Sequence, residues 1–368
     1  MRKSVFLLAV SLLLVAACGR NGQQQGTGGS SVQKQQFTTE VLLKTTPVKN
    51  QGKSQLCWVH AMLATIESEH LMMGDSVNLS PDFIARHTLS ELADRYYMKG
   101  EAAKPSLRGM ATMLLNRLQR YGMLAYDTYH ATDDTNYNVL LRKLTKTVGA
   151  ARARQEGLAE CRKQVERLLD DAIRPVPRYQ FMFGAEYTTQ EFAHSVCRQN
   201  EYEALTSFSH HPFGERFELE LTDNRDGDKF LNVPIDQLLR RVVAALRGGH
   251  AVCWEGDVSE PGFSFARGLA VLPSERSGKD AVKDSLSAAR FSQANDLQQQ
   301  RQRMFERFQT TDDHCMALVG IAHDTAGNPY FVCKNSWGTD NPYGGMMYMS
   351  FDYFLLKTIC VVLPCEAQ

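Results

Sequence analysis

The sequence has no excess of charge of either sign, because its 41 Lys and Arg residues balance its 41 Asp and Glu residues. Proteins that bind nucleic acid through its phosphates usually carry a basic patch or a basic balance, and nothing of that kind is present here. Long apolar runs are also missing. The stretch from Val5 to Leu14 is too short to cross a bilayer, which takes about 20 residues. The composition therefore favours neither a nucleic-acid partner nor a membrane-spanning helix.

The sequence has few cysteines, nine in a chain of 368. This number does not indicate a protein that is stabilised mainly by disulfide bonds. Cys18 and Cys57 stand in motifs of their own, which leaves an odd number, so at least one of the others stays unpaired. Four of these share apolar, strand-like surroundings and are interpreted as small buried hydrophobic residues: Cys253, Cys315, Cys333 and Cys360. Whether Cys360 pairs with Cys365 is left open.

The sequence predicts no metal and no cofactor. The pair His210-His211 has no carboxylate or cysteine at ligand spacing and is interpreted as part of a polar turn. The acidic turn at 223–228 does not match a calcium-binding EF-hand loop, whose first position would be Thr222 and whose twelfth would be Val233.

The N-terminus has the pattern of a secretory signal. Arg2 and Lys3 precede the short apolar core, and small residues precede Cys18, as in bacterial lipoproteins. We expect residues 1–17 to be removed and Cys18 to carry the lipid. The Gly-, Ser- and Gln-rich segment 18–36 is then a flexible tether to the membrane of the cell envelope, with outer-membrane sorting favoured. The alternative is an ordinary signal peptide cleaved nearby.

The remainder, residues 37–368, is predicted to be an α+β domain. Helical periodicity is found at 55–73, 107–121, 150–172 and 234–247, with Pro175 ending the third of these segments. Alternating or continuous apolar runs typical of strands dominate the second half of the chain. A polar segment at 274–308 is expected to be a surface excursion.

Three distant residues form the parts of a nucleophilic site. Cys57 opens a helical segment, His314 precedes an apolar strand, and Asn335 begins the run Asn-Ser-Trp-Gly. A thiolate, a proton acceptor and a side chain that orients the imidazole are together a complete apparatus for covalent catalysis. We expect Ser54 to cap the helix, so that the helix dipole lowers the pKa of the thiol.

Gln51 stands six residues before Cys57. With the backbone N–H of Cys57, it is expected to stabilise the oxyanion of a tetrahedral intermediate, and Trp337 is expected to shield the hydrogen bond between His314 and Asn335 from water.

These motifs resemble the papain-like cysteine peptidases, and most closely the bleomycin hydrolase and aminopeptidase C branch. The supporting segments are the Gln-to-Cys spacing, Cys57-Trp58, Asn335-Ser-Trp-Gly, His211-Pro-Phe-Gly and the stretch 246–258, and the resemblance covers about 40–360. It implies a two-lobed fold, with a helical lobe that carries the cysteine and an antiparallel β-barrel lobe that carries the histidine and the asparagine.

The same resemblance implies further positions around the cleft. Gly109 would bind the substrate backbone, with Trp58 and Trp337 also near the substrate. Cys57 and His314 are 257 residues apart, against about 130–150 in small papain-like enzymes. This surplus implies a helical insertion at about 127–205, which is usual in the bleomycin hydrolase branch.

The sequence therefore predicts a lipid-anchored thiol peptidase of peptide substrates, with an aminopeptidase favoured over an endopeptidase. Two alternatives are a catalytically silent peptide-binding protein and, less well matched, an acyl-transferring enzyme of the transglutaminase kind. His323 and His60 compete with His314 for the role of base, but the first lies at a turn and the second falls inside the helix. The oligomeric state is left open.

Overall fold

The computed structural model describes residues 34–132, 135–182, 184–272 and 290–365. Its α-helices are, in chain order, α1 (Cys57–Met73), α2 (Pro81–Lys99), α3 (Ala111–Tyr121), α4 (Tyr137–Ala153), α5 (Leu158–Ala172), α6 (Thr189–Val196), α7 (Ile235–Arg247), α8 (Arg290–Glu306) and α9 (Phe351–Lys357). In this part of the chain, none of the helices combines the length and the apolar character that a membrane crossing requires.

The strands are concentrated in the second half of the chain. They are β1 (Phe37–Leu42), β2 (Tyr179–Met182), β3 (Ala185–Thr188), β4 (Tyr202–Thr206), β5 (Arg216–Glu218), β6 (Lys229–Asn232), β7 (Val252–Gly256), β8 (Phe263–Ser264), β9 (Leu269–Ala270), β10 (His314–Asp324), β11 (Pro329–Lys334), β12 (Met346–Ser350) and β13 (Thr358–Pro364).

Helix ends follow local capping chemistry in several places. Ser80 accepts a hydrogen bond from the Phe83 N–H at the start of α2, and Pro81 occupies the first helical position, where its missing N–H costs nothing. Thr188 and Glu191 form a reciprocal capping box at α6. Helix α1 ends at Gly74, whose φ of 99° lies in the left-handed region that glycine adopts without strain.

The main sheet has eleven strands in the order β5-β6-β4-β13-β7-β10-β11-β12-β9-β8, with β1 paired to β10 as well. Most pairings are antiparallel, but β4–β6 and β9–β12 are parallel. Strand β1 can approach β10 because Gly320 has no side chain; a Cβ there would lie 2.3 Å from the Val41 carbonyl oxygen.

Two hydrophobic cores lie on the two faces of this sheet. The first surrounds α1 to α6, and the second lies between the sheet, α7 and α9. Along β10, Cys315 belongs to the helical core and Met316 to the other, as the two-residue period of a strand requires. Helix α1, buried over most of its length, packs against β10 and so brings the helical half to the strands.

The structure confirms the papain-like α+β class but corrects the expected barrel. Among the described strands, the two ends of the sheet, β5 and β8, do not pair with each other, so the sheet stays open. Closure needs long, staggered end strands, whereas β8 and β9 have two residues each.

Three local expectations were also wrong. The helix expected at 150–172 is two helices, because residues 154–157 interrupt α4 and α5. The excursion expected at 274–308 is not confined to the surface, because its described part contains α8, where Arg301 is fully buried. Ser54 does not cap α1: the N-cap is Leu56, and the Ser54 hydroxyl instead donates to the Gln51 carbonyl oxygen at 2.6 Å.

Residues 127–205, expected as a helical insertion, contain α4, α5, α6 and the β2–β3 hairpin.

Candidate active site

A single cleft of about 380 Å³ brings most of the expected site residues together. Cys57 lies at its base, at the first position of α1. The other expected residues that line it are Gln51, Gly109, His314 and Trp337. Asn335 is buried behind His314 and contacts it directly. Cys18, the expected lipidation site, lies outside the described residues.

The imidazole of His314 is held in one orientation by Asn335. His314 Nε2 and Asn335 Oδ1 are 2.8 Å apart, and both residues are buried. The same amide oxygen accepts the Ser336 N–H at 2.7 Å, which identifies the atom facing His314 as an acceptor. Nε2 must therefore carry a proton, and Nδ1 is left free to accept one from the thiol.

Trp337 covers this hydrogen bond. Its ring centroid lies 4.6 Å from that of His314, with the planes tilted by 37°. Phe263 and Phe265 in turn meet the Trp337 ring edge-on. The aromatic cover keeps water from competing for the His314–Asn335 bond, while Trp337 itself stays partly exposed to the cleft.

The Cys57 thiol has the electrostatics of a nucleophile. Its pKa is held well below its ordinary value, first by a hydrogen bond from the Cys315 thiol. Burial opposes this effect, and the hydrogen bond and the charge of His314 then lower the pKa further. Burial raises the pKa of Cys315, so this neighbour remains a protonated donor.

Gln51 is positioned by backbone and side-chain contacts with the segment that contains Asn335. Its N–H donates to the Ser336 carbonyl oxygen at 2.8 Å, and its Oε1 accepts the Ser336 hydroxyl at 2.6 Å. One hydrogen of Nε2 goes to the Ser54 carbonyl oxygen at 2.7 Å. The second hydrogen of this amide group remains for the cleft, beside the first backbone N–H of α1, which belongs to Cys57. These two donors have the arrangement of an oxyanion hole.

Gly109 and Trp58 are in contact, but only Gly109 reaches the cleft. A Cβ on Gly109 would lie 3.0 Å from the Trp58 ring, so the absence of a side chain lets the backbone lie flat on the indole. Trp58 is fully buried, and its Nε1–H donates to the Leu107 carbonyl oxygen at 2.9 Å. The expectation that Trp58 contacts substrate is therefore wrong; it supports the cleft wall from below.

The two competing histidines lie elsewhere. His323 is at the far end of β10, with Nε2 3.7 Å from a carboxylate oxygen of Glu40. Burial lowers the pKa of His60 to about 3, and the charges of Lys49 and Lys334 act in the same direction. His60 is thus a neutral side chain beneath the site, half-buried rather than fully packed in the core.

Sequence reasoning missed three side chains at this site: Cys315, Asp312 and Glu255. The interpretation of Cys315 as a buried hydrophobic residue overlooks its position next to His314, which is a usable signal. Glu255 lies directly opposite Cys315 in the β7–β10 register, a pairing that no local pattern reveals. Asp312 lines the cleft two residues before His314.

The role of Cys315 leads to a prediction. Cys315→Ala removes the donor that contributes most to lowering the Cys57 pKa. The thiol then ionises at higher pH, so we expect the acidic limb of the kcat/KM profile to move to higher pH, with little change at alkaline pH. Cys333→Ala, a buried cysteine in the other core, is the matched control and should not move this limb. An acidic limb that coincides in Cys315→Ala and the unmodified protein would contradict the assigned hydrogen bond.

The fold and the cleft define a thiol-dependent hydrolase. The Cys57 thiol, whose pKa is lowered, faces the His314 imidazole, which the Asn335 amide holds in place. Comparison with known proteins agrees with this class. The model of the Peptidase C1-like family matches residues 102–364, well over half of the chain. The chain therefore belongs to this family of cysteine peptidases. The match includes His314 and Asn335 and begins after Cys57.

Curated relatives and a solved structure resemble the chain over most of its length. Aminopeptidase G of Lactobacillus delbrueckii subsp. lactis is 24% identical over 374 residues, which is 86% of this chain and 80% of the relative. The mitochondrial cysteine proteinase 1 of Saccharomyces cerevisiae is 24% identical over 375 residues, 86% of this chain and 74% of its own. The crystal structure of PepW from Lactobacillus rhamnosis has a TM-score of 0.64 at 17% identity, covering 90% of this chain and 82% of PepW, and supports the fold.

Proposed function

We propose that this protein is a cysteine aminopeptidase that removes N-terminal residues from peptides. The observation that carries the peptidase chemistry is the contact of the low-pKa Cys57 thiol with a His314 imidazole fixed by Asn335. The preference for N-terminal residues is supported by the relatives named aminopeptidase G and aminopeptidase E, both 24% identical to this chain.

In the proposed mechanism, the Cys57 thiol gives its proton to His314 Nδ1 and its sulfur attacks the carbonyl carbon of the peptide. Gln51 and the Cys57 N–H donate to the oxyanion that forms. The imidazolium then protonates the leaving amine as the C–N bond breaks, which leaves a thioester on Cys57. A water molecule gives a proton to His314 and attacks the thioester, and the acid is released with the restored thiol.

An epoxide thiol inhibitor followed by mass spectrometry tests the nucleophile. We expect stoichiometric labelling of Cys57 in the folded protein and none of the buried cysteines. An unlabelled Cys57 would leave the peptide-binding alternative, in which the cleft holds peptides without cleaving them.

Paired fluorogenic substrates test the exopeptidase part of the proposal. Alanyl-aminomethylcoumarin should be hydrolysed, while its N-acetyl form should be a poor substrate. Equal turnover of the two substrates would support the endopeptidase alternative instead.

We further propose that the protein is secreted and anchored to the bacterial envelope through a lipid on Cys18. The support is the order of basic residues, apolar core and small residues before that cysteine. Labelling of cells with a palmitate analogue should mark the protein and should fail for Cys18→Ala; equal labelling of both would refute the anchor.

A further inference from the structure

Two carboxyl groups lie close to Cys57 without a role in the mechanism above: Asp312 lines the cleft, and Glu255 is buried next to it. Glu255 on β7 pairs in register with Cys315, and both project to the face of the sheet that meets α1. Asp312 lies just before β10 and lines the cleft together with Cys57 and Gly109. Burial is the main cause that raises the pKa of both carboxyl groups, and the Cys57 charge acts in the same direction, as expected of near neighbours.

One oxygen of each carboxyl group lacks a donor. Within the described residues, Asp312 Oδ2 and Glu255 Oε1 are buried and accept no hydrogen bond from an N–H or a hydroxyl group. Asp312 is 9% exposed and Glu255 is 1% exposed, so water cannot fully replace the missing donors. The other oxygen of Glu255 accepts the Ala111 N–H at 3.3 Å, at the start of α3.

Neighbouring buried carboxyl groups are stable only if they share a proton or bind a cation. Burial raises the pKa of Asp312 to about 7, with the charges of Asp223 and Cys57 acting in the same direction. Burial and Asp312 together raise the pKa of Glu255 well above its usual value. These shifts favour a proton shared between the two carboxyl groups.

Among the described residues, none of the other charged side chains that line the cleft donates a hydrogen bond to the carboxyl group of Asp312. Arg108 Nε donates to Asp223 Oδ2 at 2.6 Å, and its Nη2 donates to the backbone oxygen of Asp312, not to its carboxylate. Asp313 accepts the Thr311 hydroxyl at 2.9 Å. Lys53 lies on the exposed rim. Asp312 is thus a cleft carboxylate whose charge is partly uncompensated.

We propose that Asp312, supported from below by Glu255, binds the α-ammonium group of the substrate's N-terminal residue. The α-nitrogen is two bonds from the carbonyl carbon that Cys57 attacks, so its binding site must line the cleft close to Cys57. An ammonium group offers hydrogen-bond donors and a positive charge, and it takes the place of the shared proton between the two carboxyl groups. This inference rests on the aminopeptidase activity proposed above, and it names the residues that select a free N-terminus.

The test compares Asp312→Asn with the unmodified protein on three substrates. These are alanyl-aminomethylcoumarin, its N-acetyl form, and acetyl-lysyl-alanyl-aminomethylcoumarin, which places a basic side chain before the alanine. For the free-amine substrate we expect Asp312→Asn to lower kcat/KM by about 10-fold or more, mainly through KM, because the amide lacks the negative charge that strengthens the hydrogen bond to the ammonium group. The two blocked substrates should change by less than about twofold. Asp171→Asn, an exposed position in α5, is the acid-to-amide control.

A second measurement does not depend on the folding of a variant. L-alaninamide should protect Cys57 of the unmodified protein from the epoxide inhibitor, whereas N-acetyl-alaninamide should not. Equal protection by both compounds would overturn the proposal.

The remaining outcomes separate the two proposals. If the protein hydrolyses the free-amine substrate and Asp312→Asn leaves its kcat/KM unchanged, the aminopeptidase function stands and the α-ammonium site is refuted. If Asp312→Asn impairs only the lysyl substrate, the bound cation is a basic side chain, and the inference is again refuted. If the unmodified protein labels at Cys57 but hydrolyses no free-amine substrate, the aminopeptidase function itself fails.

Discussion

Replacing Cys57 with alanine should lower kcat/KM for peptide substrates by about 10⁴-fold or more, because removal of the nucleophile leaves only substrate binding and the oxyanion donors. The same change should leave the fold intact. Cys57 is partly exposed at the first position of α1, and alanine is a good helix former there. We expect the free energy of unfolding to change by less than about 1 kcal/mol.

Steady-state kinetics and urea denaturation of the same preparation provide both measurements. Cys365→Ala is the matched control, since Cys365 is also a partly exposed free cysteine but lines a different pocket. Its activity should equal that of the unmodified protein. A Cys57→Ala variant that retains activity, or that unfolds at much lower urea, would identify this cysteine as structural and remove the basis of the proposed mechanism.

Among the variants proposed here, Lys357→Met should cause the largest decrease in the free energy of unfolding. Lys357 and Asp257 are both fully buried, and Lys357 Nζ lies 3.2 Å from Asp257 Oδ2. The same ammonium donates to the Gln309 carbonyl oxygen at 2.8 Å and contacts Glu260. Methionine fills a similar volume but leaves the Asp257 carboxylate buried without its cation. Breaking one side of a buried ion pair typically costs about 3–5 kcal/mol, and we expect a loss of this size in urea denaturation.

An exposed ion pair gives the contrast. Arg240 and Asp236 lie one turn apart on α7, with Arg240 Nη1 2.7 Å from Asp236 Oδ2 and the arginine side chain 57% exposed. Arg240→Met should cost no more than about 0.5 kcal/mol, because solvent screens a pair of this kind. Similar losses in the two variants would mean that burial does not set the strength of the Lys357 network.

Several elements of the fold could be predicted because their signals are local. The start of α2 at Ser80-Pro81 and the capping box at Thr188 have signals contained in four or five consecutive residues, although neither helix is among the segments predicted above. Apolar runs correctly predicted that strands dominate the second half of the chain, where β10, β11 and β13 lie. The prediction for Ser54 was wrong because it also relied on a local signal. Serine is a common helix cap, but the Ser54 hydroxyl donates to the Gln51 carbonyl oxygen within a tight turn and is not available to cap α1.

The expected closed barrel and the role of Trp58 could not be decided in this way. The length of a strand at the end of the sheet depends on how many of its residues pair with a neighbouring strand. Strands β8 and β9 pair with each other over only two residues. Trp58 stands next to Cys57 in the chain, but one helical step turns it by about 100°, into the core beneath Gly109.

The sequence by itself determined the chemical parts of this protein: a cysteine at a helix start, a glutamine six residues earlier, and a histidine and an asparagine 21 residues apart. Those spacings carry the chemistry because each residue type has a distinct task. Only the tertiary structure decided that Cys315 hydrogen-bonds the nucleophile and that Asp312 in the cleft wall contacts the buried Glu255. The physical reason is that strand register and the packing of α1 on β10 join segments far apart in the chain, whose contacts leave no trace in local periodicity.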